Sequence, residues 1–390
     1  MQTESYDVVV IGAGPAGGAA AYTAARAGLC AALIDHKTFP RNKLCGGLIT
    51  GRSLRYFREV FGEELSVQPL ERKDAIEFRF QGRPLGVIDD APPLYLSMRW
   101  DLDHHLCRKA LKAGAKDMTG QSVDAIDTTA RQVVMKDGRR IGYGVLVGAD
   151  GVNSAVARRL FGRSFDRARI GFGLEIEATG THVQPAAPIG VDIAAARWGY
   201  GWCFPKGCST TIGVGGLLSE NGDMKAAMAR YLSSLGIEGD LRAYKGQFLP
   251  FGDFRKRPGR DAVVLVGDAA GLVDPITGEG IAYAIKSGQL AAQAAMTALG
   301  ADRPDTTSDT YRRLLKPIHR SLRTANVLRN LIFRPGLQGA FEQAFRHSDT
   351  VRRQYMDLLA GEVEYGRILM ACLCRSPRII RLAVQSKGVR

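Results

Sequence analysis

The first 35 residues constrain the fold more than any other part of the chain. The apolar, β-branched run over residues 6–11 (YDVVVI) predicts a buried parallel strand, and the turn GAGPAG follows it directly. An Ala-rich helix to about Ala27, a capping residue at Gly28 and a second apolar strand over residues 30–34 complete a βαβ unit. A chain that begins in this way is predicted to be an α/β protein with a parallel sheet.

The glycine spacing of that turn predicts a dinucleotide site. Gly12 permits the tight turn, Gly14 lets the backbone approach a pyrophosphate, and Gly17 allows the helix to pack closely. Phosphate would lie at the helix N-terminus, where free N–H groups and the helix dipole favour an anion. Asp35, at the end of the second strand, would accept a hydrogen bond from the adenosine ribose.

Two further turns follow buried strands and have the residues that a flavin chain needs. One is GADG over residues 148–151, with Asp150 in it, and the other is GDAAG over residues 267–271. Asp268 is placed to bond the ribityl hydroxyls, and a helix that begins at about Gly280 would direct its positive end at the isoalloxazine. The order of the three turns therefore favours a flavin.

Composition narrows the classes of protein further. The chain has 390 residues, 45% of them hydrophobic, which is enough for two or three globular units. The seven Cys lack paired CxxC spacing and the six His lack metal-ligand spacing, so we expect neither a disulfide framework nor a bound metal. The N-terminus does not resemble a signal peptide, and no apolar run is long enough to span a membrane. We expect a cytoplasmic protein.

The formal net charge of +14 suggests an anionic partner. No basic helix with interleaved aromatic residues stands out, so we expect no nucleic acid. The C-terminal segment 376–387 alternates cationic and apolar residues. It predicts either a helix face packed on the body of the protein or peripheral contact with anionic lipid headgroups at the inner face of a membrane.

Several longer motifs resemble the flavin monooxygenase-type fold, that of the para-hydroxybenzoate hydroxylase-like proteins. They are GAGPAG, FPRNKLCGG, MRWDLD, GADGVNS and GDAAGLVDPITGEGI. Within that group, YGWCFPK over residues 200–206 matches the YxWxFPK signature of the geranylgeranyl reductase family, and KLCGG over residues 43–47 resembles its CGG loop. The resemblance covers roughly residues 1–300 and implies FAD as the cofactor.

The resemblance implies an α/β fold with a Rossmann-type FAD-binding domain, an interleaved antiparallel-sheet substrate domain and a C-terminal helical region. We expect the discontinuous FAD-binding domain over residues 1–70, 100–169 and 255–300. The substrate domain is expected over residues 71–99 and 170–254, and the helical region over residues 305–390.

The resemblance also implies the residues of the site, with Arg41 and Arg99 lining the FAD channel. The full expected set for FAD is Gly12, Gly14, Ala16, Gly17, Asp35, Arg41, Cys45, Gly46, Arg99, Asp150, Gly267, Asp268, Pro275, Gly278, Gly280 and Ile281. The expected substrate-binding residues are Tyr200, Trp202, Phe204 and Lys206.

The aromatic residues at alternate positions put their rings on one face of a strand. That pattern fits either ordinary sheet core or an apolar wall above the flavin. Pro205 and Lys206 are expected to end the strand in a turn, where Lys206 either contacts a diphosphate or is solvated.

The predicted function is that of an FAD-dependent oxidoreductase that reduces carbon–carbon double bonds of a polyprenyl group of the geranylgeranyl type. Tyr200 and Cys45 are the candidate catalytic proton donors, and the alternative interpretation of Cys45 is a small buried thiol. No second GxGxxG occurs, so the reductant is expected to be transiently bound NAD(P)H or a reduced ferredoxin-like protein. The alternatives are a flavin-dependent monooxygenase acting on an aromatic or apolar substrate, and a flavin electron carrier or assembly factor.

Overall fold

A computed structural model describes residues 4–179, 184–237 and 244–374 of the protein. The strands, in chain order, are β1 (Glu4–Ile11), β2 (Ala31–Asp35), β3 (Leu48–Ile49), β4 (Glu71–Lys73), β5 (Ile76–Phe80), β6 (Arg83–Ile88), β7 (Leu94–Leu96), β8 (Lys116–Thr119), β9 (Val123–Asp127), β10 (Gln132–Met135), β11 (Arg140–Gly148), β12 (Gly171–Ala178), β13 (Ile189–Ile193), β14 (Tyr200–Lys206), β15 (Ser209–Leu217), β16 (Lys245–Leu249), β17 (Gly259–Arg260) and β18 (Val263–Leu265). The helices are α1 (Pro15–Arg26), α2 (Gly51–Phe61), α3 (Arg99–Lys112), α4 (Ala155–Phe161), α5 (Met224–Ser234), α6 (Ile281–Gly300), α7 (Thr307–Leu314), α8 (Lys316–Phe333), α9 (Pro335–His347), α10 (Asp349–Leu359) and α11 (Tyr365–Cys374). The basic segment 376–387 lies outside the described residues.

The largest sheet contains the predicted βαβ unit, with strand order β17-β18-β11-β1-β2-β8 and with β10 and β9 continuing from β11. Strand β1 lies between β11 and β2 and is parallel to both, and β18 is parallel to β11. The carboxyl ends of these strands therefore meet at one edge of the sheet, which is where ligands bind in open α/β sheets. The three turns that were singled out in the sequence all leave from that edge.

Helices α1 and α6 cross at a distance that only glycine permits. A methyl group at Gly288 of α6 would lie 2.1 Å from the carbonyl oxygen of Ala16 on α1. Gly17 serves a different contact, because a methyl group on it would lie 1.7 Å from the carbonyl oxygen of Gly12, where α1 packs against the turn after β1. The close crossing holds the N-terminus of α1 against the sheet, so that it faces the same edge as the turns.

The second sheet has seven strands in the order β16-β12-β15-β14-β13-β5-β6, and its pairs are antiparallel except for β13 and β5. Strand β14 continues through Lys206, which pairs with Ser209, so the expected turn at Pro205 and Lys206 is wrong by one or two residues. Proline is tolerated there because the pairing of β14 with β13 stops at Cys203. Beyond that point β14 is an edge strand on that side.

A small third sheet has the strand order β3-β7-β4. Helix α2 follows β3, and the sequence analysis assigned no helix to residues 51–61. The helix begins where the Thr50 side chain accepts a hydrogen bond from Ser53 N and ends at Gly62, whose φ is +71°. The cap signals were present in the sequence, and Leu54, Phe57 and Phe61 lie at the i, i+3, i+7 spacing of one helix face, so the signal for α2 was there and was missed.

The five helices α7–α11 form the expected helical region as far as residue 374. Phe345 of α9 and Tyr355 of α10 pack edge-on against Phe78 of β5, with ring centroids 5.0 and 5.8 Å away. The region also touches α2, because the N–H of Gly51 donates to the carbonyl of Ala360 at 3.0 Å. Within the described ranges, no helix has the length and apolar character needed to cross a membrane.

The two large sheets use interleaved parts of the chain. The first sheet takes strands from residues 4–35, 116–148 and 259–265, and the seven-stranded sheet takes strands from residues 76–88 and 171–249. The α/β class, the nucleotide-binding sheet and the C-terminal helices are thus confirmed. The domain boundaries drawn from the sequence stay predictions.

Candidate functional site

One cavity of about 770 Å³ is lined by residues of both large sheets and of the loops at the carboxyl edge of the parallel sheet. It brings together most of the residues that the sequence singled out. These are Gly12, Gly14, Ala16, Asp35, Arg41, Cys45, Gly46, Arg99, Asp150, Tyr200, Trp202, Phe204, Asp268, Gly278, Gly280 and Ile281. Four expected residues do not line it, namely Gly17, Lys206, Gly267 and Pro275.

The turn after β1 is shaped to receive an anion. Gly12 has a φ of +102°, and a methyl group on it would lie 2.3 Å from the carbonyl oxygen of Ala149. Gly14 is the N-cap of α1, and the nearest atoms to a methyl group on it would be Nη2 of Arg41 at 3.6 Å and Nη2 of Arg99 at 3.9 Å. Two guanidinium groups thus flank a free helix N-terminus, which is the environment that a pyrophosphate requires.

A buried aspartate holds both arginines in place. Asp103 is fully buried and receives two hydrogen bonds from Arg99, of 2.6 and 2.8 Å. Its Oδ2 also lies 3.1 Å from Nη1 of Arg41. The carboxylate offsets one of the two positive charges, so the pair retains a net positive charge beside Gly14.

Asp35 and Asp150 each bond the backbone and still face the cavity. Asp35 accepts hydrogen bonds from Ala13 N at 2.8 Å and from Lys37 N at 2.9 Å, and each of its oxygens keeps a further lone pair. Asp150 Oδ2 accepts from Ala155 N at 2.6 Å, whereas its Oδ1 is buried without a hydrogen-bond partner among the described residues. Burial raises the pKa of Asp150. An acceptor left open in this way fits a ligand hydroxyl.

Three of the four expected residues that do not line the cavity shape the backbone behind it. Gly17 lets α1 pack against the carbonyl of Gly12 and against Ala149. Gly267, with a φ of +54°, donates its N–H to Ser287 Oγ at 3.0 Å and faces Ala16 across the contact of α1 and α6. Pro275 is buried at the start of the turn that leads to α6.

That turn, residues 274–280, is held by buried polar groups that the sequence analysis did not assign. Asp274 Oδ1 accepts from Ile276 N, from Thr277 N and from the hydroxyl of Tyr365, the last at 2.6 Å. Glu279 accepts hydrogen bonds from Thr50 and Arg52.

Arg52 lies 2% exposed on α2, and Glu279 lies buried against it. Tyr200 donates its hydroxyl to the carbonyl of Thr277 at 2.6 Å. These contacts join distant segments, so nothing local in the sequence indicates them.

The three aromatic residues of β14 form an apolar wall on the cavity. The ring of Trp202 lies 5.9 Å from that of Tyr200, at 61°. A methyl group on Gly213 would lie 2.2 Å from the Trp202 ring, which means that the indole covers this glycine. A methyl group on Gly46 would lie 2.7 Å from the Phe204 ring. The wall therefore faces the loop that contains Cys45.

The loop itself contributes one expected residue and one that the sequence analysis missed. Cys45 is partly buried, and its Sγ accepts from Gly47 N at 3.4 Å. Lys43 also lines the cavity, where burial lowers the pKa of its ammonium group and the nearby Asp268 partly opposes that shift. Lys43 lies within the KLCGG motif, but the motif alone does not show that this ammonium is buried.

The expectation that Lys206 is solvated is wrong. The side chain is 5% exposed and donates to Thr211 Oγ1, which itself donates to Glu177 at 2.7 Å. The side chain is buried on the sheet because β14 continues to Lys206 instead of turning before it. It does not line the cavity, so the expected contact with a diphosphate has no support in the geometry.

The chain is similar to several known proteins. The family model of the pyridine nucleotide-disulphide oxidoreductases matches residues 6–163. A menaquinone reductase of Mycobacterium tuberculosis is 33% identical over 321 residues, which cover 74% of this chain and 76% of that protein. A geranylgeranyl diphosphate reductase of Rhodobacter capsulatus is 33% identical over 319 residues and covers 77% of each.

The fold has a solved counterpart of nearly the same extent. A crystal structure of a geranylgeranyl bacteriochlorophyll reductase-like protein from Thermoplasma acidophilum superposes with a TM-score of 0.72, at 22% identity, over 97% of this chain and 98% of that one. The nucleotide turns and the aromatic strand of the structure, and the extent of these matches, all support one family assignment. The chain belongs to the geranylgeranyl reductase family and is an FAD-dependent oxidoreductase.

Proposed function

We propose that the protein reduces carbon–carbon double bonds in the isoprenoid chain of an apolar substrate. The observation that carries this proposal is the aromatic wall of Trp202 and Phe204, which faces the Cys45 loop within the cavity that also contains the nucleotide turns. An apolar wall of this kind suits a hydrocarbon chain, which offers no hydrogen bonds and is bound by exclusion of water.

The residues that line the rest of the cavity have the chemistry that FAD requires, and we propose which of them hold it. The N-terminus of α1, with Gly12, Gly14 and Ala16 and the guanidinium groups of Arg41 and Arg99, would bind the pyrophosphate. Asp35 would bind the adenosine ribose, and Asp150 and Asp268 would bind hydroxyls of the flavin chain. Further residues proposed to contact the cofactor or shape its turns are Gly17, Cys45, Gly46, Gly267, Pro275, Gly278, Gly280 and Ile281.

Reduction of a double bond needs a hydride at one carbon and a proton at the other. Bound FAD, once reduced, supplies the hydride. The protein must exclude water, hold the double bond in a reactive orientation and deliver the proton, because an isolated alkene is a poor hydride acceptor. Tyr200 and Cys45, which line the cavity, are the donors suggested by the sequence. Electrons would come from NAD(P)H or a ferredoxin-like protein.

The head group of the substrate is a separate question. Geranylgeranyl diphosphate and menaquinone, which give the two relatives their names, share an isoprenoid chain and differ in the group attached to it. The apolar wall recognises the shared part. Lys206, the residue expected to contact a diphosphate, is buried and does not line the cavity, so we propose that the site recognises the isoprenoid chain.

The test is an anaerobic single-turnover assay on the purified, FAD-loaded protein. The flavin is reduced chemically and mixed with geranylgeranyl diphosphate. We expect the flavin absorbance to return and the product to be two mass units heavier for each turnover. Phytanyl diphosphate, which has the same chain and head group without double bonds, is the matched control and should leave the flavin reduced.

The same assay decides between the reductase and the oxygenase. A flavin that stays reduced with geranylgeranyl diphosphate and with a menaquinone, and that reoxidises only when oxygen enters and then yields a hydroxylated product, would contradict the proposal. Oxygen-dependent hydroxylation is the outcome expected of the monooxygenase alternative.

A further inference from the structure

The carboxyl group of Glu175 lies beside the apolar wall of the cavity. Glu175 of β12 pairs with Gly213 of β15, which in turn pairs with Trp202 of β14. Residues directly opposite one another on neighbouring strands point to the same face of a sheet. Glu175 and the Trp202 indole therefore share one row on the cavity face, and Gly213 leaves the space between them.

The carboxyl group is buried and yet reaches the cavity. Glu175 is 6% exposed and lines the cavity together with Cys45, Gly46 and Trp202. The backbone N–H of Cys45 and the indole of Trp202 lie close enough to lower the pKa of its carboxyl. The group is thus bounded by the apolar wall on one side and by the Cys45 loop on the other.

Burial has a larger effect on the pKa of Glu175 than the charged groups around it. Burial raises the pKa of Glu175 to about 7, Lys206 of β14 opposes that shift, and Glu177 of β12 adds to it. Lys206 remains close but donates its hydrogen bond to Thr211. A carboxyl group with a pKa near the working pH can both hold a proton and release it, as a general acid must.

We infer that Glu175 is the proton donor of this cavity, a role that rests on the proposed function. The π bond of the substrate breaks, one carbon takes the hydride supplied by reduced FAD, and the other carbon takes the proton from the Glu175 carboxyl. Two C–H bonds form, the flavin is oxidised and the chain is reduced. The carboxylate then regains a proton from water.

The two donors suggested by the sequence are less suited to this step. The Tyr200 hydroxyl already donates to the Thr277 carbonyl at 2.6 Å, and burial raises the pKa of Tyr200 well above its usual value. Loss of that proton would leave a buried phenolate beside a carbonyl oxygen. Cys45 accepts a hydrogen bond from Gly47 N and borders Glu175, which suits a residue that positions the loop.

The first test follows the protonation of Glu175 in the FAD-loaded protein without any turnover. Infrared difference spectra between pH 5 and pH 9 should show a protonated-carboxyl band that disappears with a midpoint near 7. Glu175→Gln should lack this band. Glu177→Gln, on the same strand and face but outside the cavity lining, should keep it with a lower midpoint, because the charge that raises the pKa of Glu175 is gone.

The second test follows flavin reoxidation by geranylgeranyl diphosphate across the same pH range. The wild-type rate should fall as pH rises through about 7, because only the protonated carboxyl donates. Glu175→Gln should be slower by about 100-fold and lose this pH dependence, whereas Glu175→Asp should retain a titrating acid. A yellow Glu175→Gln protein with a wild-type rate and pH profile would overturn the inference.

The two proposals fail in different ways. If the wild-type protein reduces no isoprenoid chain, the proposed function fails, while the infrared titration still reports whether Glu175 holds a proton near pH 7. If the chain is reduced but Glu175→Gln changes neither the band nor the rate, the proposed function stands and the role of Glu175 is wrong.

Discussion

At the scale of single residues, some glycines of this site have contacts that leave no room for a side chain. Gly278 is the sharpest case, since its φ is +72° and a methyl group on it would lie 2.3 Å from the Tyr200 hydroxyl oxygen. That hydroxyl bonds the neighbouring carbonyl of Thr277. The aromatic strand and the turn that leads to α6 therefore meet at a point where only glycine fits.

We predict that Gly278→Ala destabilises the protein through two separable causes. The left-handed backbone costs about 1–2 kcal/mol for a residue with a side chain, and the clash with Tyr200 adds to this. In a Tyr200→Phe background the clashing oxygen is absent, so Gly278→Ala should cost less there. Urea unfolding of the four proteins of this double-mutant cycle measures the coupling. Purely additive free energies of unfolding would show that the contact is unimportant.

At the scale of elements, the turn between β1 and α1 contains glycines in two different environments, the cavity and the packed backbone. A side chain at Gly14 would meet only ordinary contacts with Arg41 and Arg99, 3.6 and 3.9 Å away, whereas one at Gly17 would collide with the Gly12 carbonyl. The same six-residue motif thus contains one position that faces the cavity and one that is required where α1 packs against its own turn.

This difference predicts opposite outcomes for two substitutions. Gly14→Val should fold with nearly wild-type stability but purify with little or no FAD, because the side chain fills the space of the pyrophosphate. Gly17→Ala should lower the stability of the cofactor-free protein, because the added methyl group collides with the Gly12 carbonyl. Flavin absorbance and thermal unfolding of the cofactor-free proteins distinguish the two. A fully yellow Gly14→Val protein would contradict the assignment of this turn to the pyrophosphate.

The elements that sequence analysis found are those whose signal is contiguous. The strand, the GAGPAG turn and helix α1 follow one another in the chain, and the aromatic residues of β14 alternate along a single strand. Glu175 faces the same cavity, but its place depends on the register of three strands, which local sequence does not give. The same holds for Lys206, whose burial depends on the pairing of β14 with β15 continuing through Lys206.

At the scale of the whole molecule, the C-terminal helices are attached to the turn beside the cavity. The hydroxyl of Tyr365 on α11 donates to Asp274, 91 residues earlier in the chain. Asp274 also holds the backbone of Ile276 and Thr277. Ion pairing of Arg55 on α2 with Glu362 at 3.0 Å adds a second link to the same region. No periodicity or motif within either segment indicates that the two meet.

We therefore predict that Tyr365→Phe weakens both the fold and the flavin site. A hydrogen bond to a charged group contributes about 1.5–3 kcal/mol, and Asp274 is 1% exposed, so water cannot replace the lost donor. The turn it holds should loosen, and the dissociation constant for FAD should rise. Tyr143→Phe is the matched control, since the hydroxyl of Tyr143 donates to a neutral group, the backbone carbonyl of Asp127 at the end of β9, at 3.4 Å.

The control should cost no more than about 0.5–1.5 kcal/mol and leave FAD affinity unchanged, because Tyr143 does not line the cavity. Urea unfolding of the cofactor-free proteins and FAD titration followed by flavin fluorescence give the two quantities separately. Equal FAD affinity in Tyr365→Phe and wild type, despite a loss of stability, would mean that the helical region supports the fold without supporting the turn. A rise in the dissociation constant that accompanies the loss of stability would show that the C-terminal helices help to position the cofactor site.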